Sequence, residues 1–474
     1  MLWALAACLS LGLLRIGALY LNDPLIALAN SYDEVRYSAC FDLYPTRPQG
    51  VAPTRNSPEA PYSRFSFVSG VGPICYWSTE LLFQGGATLV YRAQQSSGAD
   101  TFSVRWIGGF KVIALLILWV SFNIAWLRRH EPWSALANGL LLPLVFADPA
   151  NTIYLNTFYA EWTALISLYA VVGLTLIHEG KPPRHHAFAL LLVAAAALAL
   201  SKIQHIVLPL GIAVAMLLIG RWRDRVWLWK GKALLIGALI GIVVQIVQLQ
   251  RESDAIRAIN VFNQADVVFT ALLPNSQDPA ATAQHLGLEP QCLRYSGLRA
   301  WQMPGFPADL CPGLTQVTRS RELLTLLREP DLTLRLGWRG AQALDPWLAP
   351  GLGLVEGGDF APLPQRFFTL SRPLSEYPVL RLILFGAPFI ALPLLLWRHR
   401  WRRWPRLLTG TMFTTVVSLG TLTVTVLGDG LADVPKQGHL AFNMALAWFI
   451  GASVFVAQRY LASRRRPDVA TRSS

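Results

Sequence analysis

The sequence predicts an all-α, polytopic membrane protein of about ten spans with two large loops on one side, and three observations lead there. The chain has 474 residues, 53% of them hydrophobic but only 15% charged, where a soluble protein carries about 25% charged residues. Apolar stretches near the length of a bilayer crossing recur at about 3–21, 107–127, 133–147, 159–177, 187–200, 204–220, 233–250, 377–397, 407–427 and 440–458. The charge between them alternates from one connection to the next. Together these features exclude a cytosolic globular enzyme, a disordered chain and a small disulfide scaffold.

The alternation sets the orientation. The connections 128–132, 178–186, 221–232, 398–406 and 459–474 hold 19 Lys and Arg against 4 acids: Glu131, Glu179, Asp224 and Asp468. The opposite loops, 23–106, 251–376 and 428–439, hold 18 basic residues against 22 acids. The positive-inside rule then puts both termini in the cytoplasm and the long loops outside. The net charge of +13 is explained by orientation and by contact with anionic lipid; no nucleic-acid partner is required. Cysteines agree: Cys8 lies in the first span, while Cys40, Cys75, Cys292 and Cys311 all fall in the outer loops. An even number in an oxidising compartment predicts disulfides, most simply Cys40–Cys75 and Cys292–Cys311. Ala27-Leu28-Ala29 looks like a signal cleavage site, but no basic segment precedes the first span and Asp23 and Pro24 intervene, so the span is expected to be retained.

Four parts follow in order. An N-terminal membrane module over 1–250 holds spans one to seven and the first outer loop, 23–106; an extracytoplasmic loop domain covers 251–376. The last three spans lie in 377–460, and a basic cytoplasmic tail occupies 461–474. The cytoplasmic connections are too short to build a pocket, so the working side is expected outside. In the first loop the stretch Tyr76–Gln95 reads as amphipathic, with Leu81, Leu82, Phe83, Leu89 and Val90 on the membrane surface. In the loop domain, Ser253–Leu272, Ser320–Glu329 and Leu332–Gln342 read as helical. There is no Walker loop and no dinucleotide fingerprint.

Ionisable residues gather at the outer ends of spans. Asp33-Glu34-Val35-Arg36 follows span one; Asp148, Tyr154, Asn156, Tyr159 and Glu161 straddle the connection between spans three and four. Lys202 and His205 lie between spans five and six, and Asp429, Asp433, Lys436 and His439 between nine and ten. A carboxylate inside an apolar boundary, as at Glu161, costs about 2.5 kcal/mol or more unless paired, so it marks a functional candidate. An acid near the membrane surface can take a proton from an acceptor hydroxyl, and nearby cations can hold a phosphate leaving group. A lipid-phosphate sugar donor meets both requirements. The plainer readings are solvated loop acids at Asp33 and Glu34, a turn at Asp148-Pro149, and glycine-flanked turn chemistry at Asp429.

On Asp33-Glu34-Val35-Arg36, on Tyr154-Leu155-Asn156-Thr157-Phe158-Tyr159-Ala160-Glu161, and on Gly428-Asp429-Gly430 through Asp433 and Lys436, the chain resembles the glycosyltransferase C superfamily. These are polytopic enzymes that use polyprenyl-phosphate sugars, and the likeness extends to bacterial glycan biosynthesis hexose transferase membrane proteins. The resemblance implies a sugar, a hexose by the closest likeness, passing from a polyprenyl-phosphate donor to a glycan or lipid-linked acceptor at the outer face of a bacterial inner membrane. It implies Asp33 as the base with Glu34 as competitor, and Asp148 or Glu161 as a second acid. Arg36, Lys202, Lys436 and His439 become donor-phosphate ligands, and Tyr154, Asn156, Tyr159, Asp429 and Asp433 orient substrate. His would be expected directly after the basic residue of the last motif, yet Gln437 stands there. Some members of the superfamily hold a divalent metal at the outer carboxylates; no other cofactor is implied. Rival readings are an O-antigen-type polymerase or ligase using polyprenyl-pyrophosphate glycans, a polysaccharide or lipid transporter or flippase, and an assembly scaffold.

Overall fold

The structure is a computed structural model that describes residues 1–29, 31–46, 63–69, 75–95, 101–180, 184–222, 225–251, 254–344, 353–355, 370–397 and 404–464. The N-terminal part runs α1 (Leu2–Tyr20), β1 (Ile26–Ala29), α2 (Ser31–Ser38), β2 (Leu43–Pro45), β3 (Arg64–Phe67), α3 (Glu80–Gln95), β4 (Phe102–Ser103) and α4 (Arg105–Leu127). Next come α5 (Pro132–Leu141), α6 (Pro149–Thr152), α7 (Glu161–Ile177), α8 (His185–Ser201), α9 (Val207–Trp222) and α10 (Val226–Gln250). The loop domain holds α11 (Asp254–Asp266), α12 (Leu273–Asn275), α13 (Pro279–Leu286), α14 (Pro307–Leu310), α15 (Arg319–Arg328), α16 (Pro330–Ala343) and β5 (Gly353–Val355). The chain closes with α17 (Ser371–Glu376), α18 (Pro378–Trp397), α19 (Pro405–Asp429), α20 (Val434–Gln437) and α21 (His439–Arg464). Proline opens α5, α6, α13, α16 and α19, where its missing N–H costs no hydrogen bond.

Among the described residues, seven helices are long and apolar enough to cross a membrane: α1, α4, α9 with its lead-in from Ile203, α10, α18, α19 and α21. The expected third, fourth and fifth spans correspond to shorter apolar helices, Pro132–Phe146, Glu161–Ile177 and His185–Ser201. At 1.5 Å per residue each is about 25 Å or less, short of a ~30 Å hydrocarbon core. Of the three, α7 is enclosed by protein, whereas α8 leaves Leu190 and Val193 exposed. Every residue of α7 from Glu161 to Ala170 is buried, and so is the irregular segment 153–160 that leads into it. Non-helical backbone at membrane depth is tolerated where protein rather than lipid surrounds it.

Contacts at the helix ends sort into two poles. At one, Arg406 pairs with Glu131 at 2.5 Å and Lys230 with Glu179 at 3.0 Å, while Thr409 donates to Glu179 at 3.3 Å. Residues from four of the five basic connections, 128–132, 178–186, 221–232 and 398–406, meet here. At the other pole the end of α1 meets α4, Ser371 ahead of α18 meets Asp148, and α21 starts against α7. Between the poles lies one large apolar core, with Trp119 and Phe122 of α4, Tyr169 of α7 and Phe413 of α19 among its aromatic members.

The seam between α8 and α10 is made of small residues. A Cβ on Gly237 would sit 2.6 Å from the Leu192 carbonyl and 2.7 Å from the Ala195 methyl, and one on Gly241 would collide with the Ala199 methyl. This is close packing of the small-xxx-small kind, in which backbone approach replaces the absent hydrophobic drive.

Two short antiparallel sheets depart from the all-α expectation. β1 pairs with β5, and β2–β3–β4 forms a three-stranded sheet with Leu43 opposite Phe67 and Phe65 opposite Phe102. α3 also differs from the reading of its sequence. Leu82 and Leu89 are indeed exposed, but Leu81 and Phe83 pack inward, and the buried face carries Glu80, Gln84 and Thr88. The loop domain has its own apolar core, yet Val426 of α19 belongs to that core, so it is welded to a membrane helix. Both expected disulfides are present, Cys40–Cys75 and Cys292–Cys311.

Gly237→Leu is expected to force α8 and α10 apart and to lower stability by roughly 1–3 kcal/mol or more, as overpacking does. A thermal unfolding midpoint in detergent no lower than that of the wild type would show that the seam is not tight.

Candidate functional site

The site is built around the buried segment 153–160 and the residue that follows it, Glu161. Such a segment has carbonyls with no helical partner, and an unpaired buried carbonyl is costly. Lys111 of α4 supplies the partner. Its fully buried ammonium donates to the carbonyls of Thr157 at 3.1 Å, Tyr159 at 3.2 Å and Tyr154 at 3.5 Å, and pairs with Glu80 of α3 at 2.8 Å. The Thr163 hydroxyl also donates to Glu80, and the Gln84 amide reaches both Glu80 and the Phe158 carbonyl at 3.4 Å. Burial raises the Glu80 carboxyl to about 7, against the pull of Lys111 and these donors. Asn156 latches the same segment to α1 and β1 by donating to the carbonyls of Tyr20 at 3.1 Å and Ile26 at 3.3 Å. Its amide N–H groups are therefore engaged with backbone, and Asn156 fastens the segment in place.

Held in this way, Glu161 opens α7 with only 1% of its surface exposed. One carboxylate oxygen takes a hydrogen bond and ion pair from Lys202, the single extended residue between α8 and the turn Ile203–Ile206. The second oxygen, Oε2, is buried and has no hydrogen-bond partner among the described residues. The Glu161 carbonyl lies 3.0 Å from Nε2 of His439, whose Nδ1 lies 3.0 Å from the Lys436 carbonyl. Lys436 stands 4.4 Å over the Tyr159 ring and 3.5 Å from Asp433. Tyr154 contacts the rings of Tyr159 and His439, and His205 approaches His439 with ring centroids 6.3 Å apart. Burial and the Glu161 charge push the Tyr154 phenol up, so it stays protonated. Arg36 and Lys436 both lie within electrostatic reach of Lys202. Three chain segments distant in sequence thus converge on one point, and α2 brings a fourth.

The first large loop reaches this point by a strap. Cys75 is tied to Cys40 just past α2, and Tyr76 N–H donates to the Arg36 carbonyl at 2.8 Å. The Tyr76 hydroxyl then donates to Gln245 at 3.2 Å, Trp77 N–H to Gln248 at 2.6 Å, and Ser78 and Thr79 to α8 carbonyls at 2.7 Å. The strap therefore rests on the ends of α8 and α10. Asp33 and Glu34 lie on α2 in sequence, but their side chains are outside the described residues.

Two expected members have other duties. Asp148 caps α6 through Ala150 N–H at 3.1 Å and accepts from the Ser371 hydroxyl at 2.6 Å; its carboxylate ties α6 to α17. Asp429 ends α19, and the following Gly430, at φ 63°, sits against the Asp266 carbonyl so closely that no side chain fits. That turn is what the glycines serve. Asp266 itself was not anticipated. It accepts from Ala300 N–H at 2.7 Å, and burial with the nearby Asp433 charge raises it to about 7. Lys111 and Glu80 were also missed, although a lysine inside an apolar span is a signal in its own right. Among the described residues, no group of three or more His, Cys, Asp or Glu is arranged to hold a metal ion.

Residues 65–304 match the family described as YfdI N-terminal transmembrane domain. The chain belongs to this family. The YfdI N-terminal transmembrane domain match runs from β3 into the loop domain, and so includes Glu80, Lys111, Glu161, Lys202 and Asp266. No curated protein and no solved structure matches the chain. Membership and the apolar helices make it a multi-pass membrane protein.

Removing Lys111 as Lys111→Met strips Glu80 of its counter-charge and the Thr157 and Tyr159 carbonyls of their ammonium donor, and is expected to cost about 3–5 kcal/mol. The double variant with Glu80→Gln should lose less than the sum of the single changes; additive losses in thermal unfolding would show that the pair is not coupled. Asp266 has a pH signature. Its folded-state value lies above the ordinary Asp value of about 4, so stability from this site is full below about pH 4 and is lost as pH rises through 7. Asp266→Asn is therefore expected to raise Tm at pH 8 and change it little at pH 4; an equal shift at both would refute the assignment.

Proposed function

We propose that this protein is a membrane glycosyltransferase that moves a hexose from a polyprenyl-phosphate donor to a glycan or lipid-linked acceptor, at the pole opposite the basic connections. The observation that carries the reading is the meeting of Glu161, Lys202, Lys436 and His439 at the end of an apolar bundle, with Arg36 in reach. A prenyl chain is at home among the spans, and its phosphate then arrives at the level of these cations. The basic pole faces the cytoplasm in this reading, with both termini there and the three shorter apolar helices crossing as part of the bundle. The membrane is the bacterial inner membrane.

The chemistry is a single inverting displacement. An acceptor hydroxyl oxygen attacks the anomeric carbon, the bond from that carbon to the donor phosphate breaks, and polyprenyl phosphate leaves with the bonding electrons. The hydroxyl proton passes to the carboxylate of Asp33 or Glu34, both on α2. Charge grows on the departing phosphate, so fixed cations favour the transition state over the ground state. Lys202 and Lys436 supply them, with Arg36 giving a planar fork. Glu161 is not the base, because its charge is committed to Lys202; it sets the position of that lysine and, through its carbonyl, of His439. Should a divalent metal take part, the carboxylates near Lys436 are the oxygen ligands at hand.

In membranes supplied with a labelled polyprenyl-phosphate hexose, Lys202→Met and Lys436→Met are each expected to lower turnover by about 10²-fold or more. Asp33→Asn or Glu34→Gln should abolish transfer. Full turnover in all four variants would overturn the reading, and movement of intact donor across the membrane would favour a transporter.

A further inference from the structure

The outward faces of α15 and α16 are apolar where water would favour polar residues. Leu327 is 79% and Leu334 73% exposed, with Leu323, Leu324 and Trp338 at 50%, 45% and 54%. The inward faces are already satisfied: Glu322 and Thr325 of α15 and Leu332, Leu336 and Gly340 of α16 are buried. Residues advance about 100° around a helix, so the exposed leucines and the tryptophan emerge on the sides opposite those buried faces. Each helix is thus apolar on the side turned away from the protein.

The depth of this hairpin is set by α19. Arg319 donates to the Leu427 carbonyl at 2.5 Å and to the Gly428 carbonyl at 3.4 Å, at the negative end of the α19 dipole. Gly340 lies so close to α19 that a Cβ there would stand 2.8 Å from the Leu422 side chain and 2.9 Å from that of Val426. α16 therefore lies alongside the last two turns of a 25-residue membrane helix, with α15 fastened to the end of that helix through Arg319, and Leu419, one turn deeper, is itself 51% exposed. At that level, a surface facing away from the bundle meets lipid. Arg321, Arg328 and Arg339 are exposed on the same hairpin, against the single exposed acid Asp331.

We propose that α15 and α16 form an in-plane membrane anchor, lying in the leaflet at the loop pole with their leucines and Trp338 among the acyl chains. Arg328 and Arg339 then meet lipid phosphates, as basic residues do on interfacial amphipathic helices. The anchor has a consequence for the site. Leu344, just past α16, packs against Gly438 between Lys436 and His439, so the hairpin holds that wall of the cluster at a fixed depth. This inference stands apart from the proposed chemistry.

The test uses the full chain with Cys8→Ser as background, reconstituted in liposomes of phosphatidylethanolamine and phosphatidylglycerol. A nitroxide is placed at Leu327→Cys or Leu334→Cys, with Leu419→Cys as the lipid reference and Gln291→Cys as the water reference. Collision with oxygen is expected to exceed collision with a water-soluble nickel chelate several-fold at both hairpin positions, as at 419. Nickel access equal to that at 291 would overturn the anchor, and so would exclusion of both reagents, which would mean that a second protein surface covers the face.

Discussion

One buried ammonium organises the loop pole. Lys111 projects from a membrane helix into a segment whose Thr157 and Tyr159 carbonyls take its N–H groups, and it opposes the charge of Glu80 at the same time. Desolvating an ion pair costs several kcal/mol per charge, and attraction alone seldom returns it. Here the remaining hydrogen-bond capacity of the ammonium is spent on backbone that must be satisfied anyway, which turns a costly pair into a template. The direction in which Glu161 faces, and so the position of Lys202, follows from that template.

The two large loops contribute to the pole in different ways. The first arrives through a strap fastened by a disulfide and by hydrogen bonds to α8 and α10. The second arrives as a helical layer whose core is continuous with α19. Neither is an appended domain that folds on top of a finished bundle. Each supplies partners that the ends of the membrane helices lack on their own.

Much of the frame was legible in the sequence because it depends on composition along the chain. Hydropathy locates the helices, charge bias separates the poles, and the placing of cysteines predicts both disulfides. The convergence of Glu161, Lys202, Lys436 and His439 was legible for a related reason: each is an ionisable residue at a span end, where burial demands a partner. Less could be read where meaning depends on contacts between distant segments. Glu80 and Gln84 belong to a stretch whose leucines suggested lipid, because periodicity shows that a helix has two faces but not which one meets Lys111. Asn156 and Asp148 have the residue types of ligands, and only the structure shows the Asn156 amide donating to backbone and the Asp148 carboxylate accepting from Ser371. The short strands were invisible because two to four residues carry almost no periodic signal.

The glycines of α10 carry a further meaning. Where Gly237 and Gly241 meet the alanines of α8, the backbones interlock like teeth, and neither helix can slide along the other without collision. Lys202 caps one of these helices, and Gln245 and Gln248, which hold the strap, lie at the end of the other. The vertical register between a cation from the bundle and the loop that covers it is therefore set by residues that have no side chain at all.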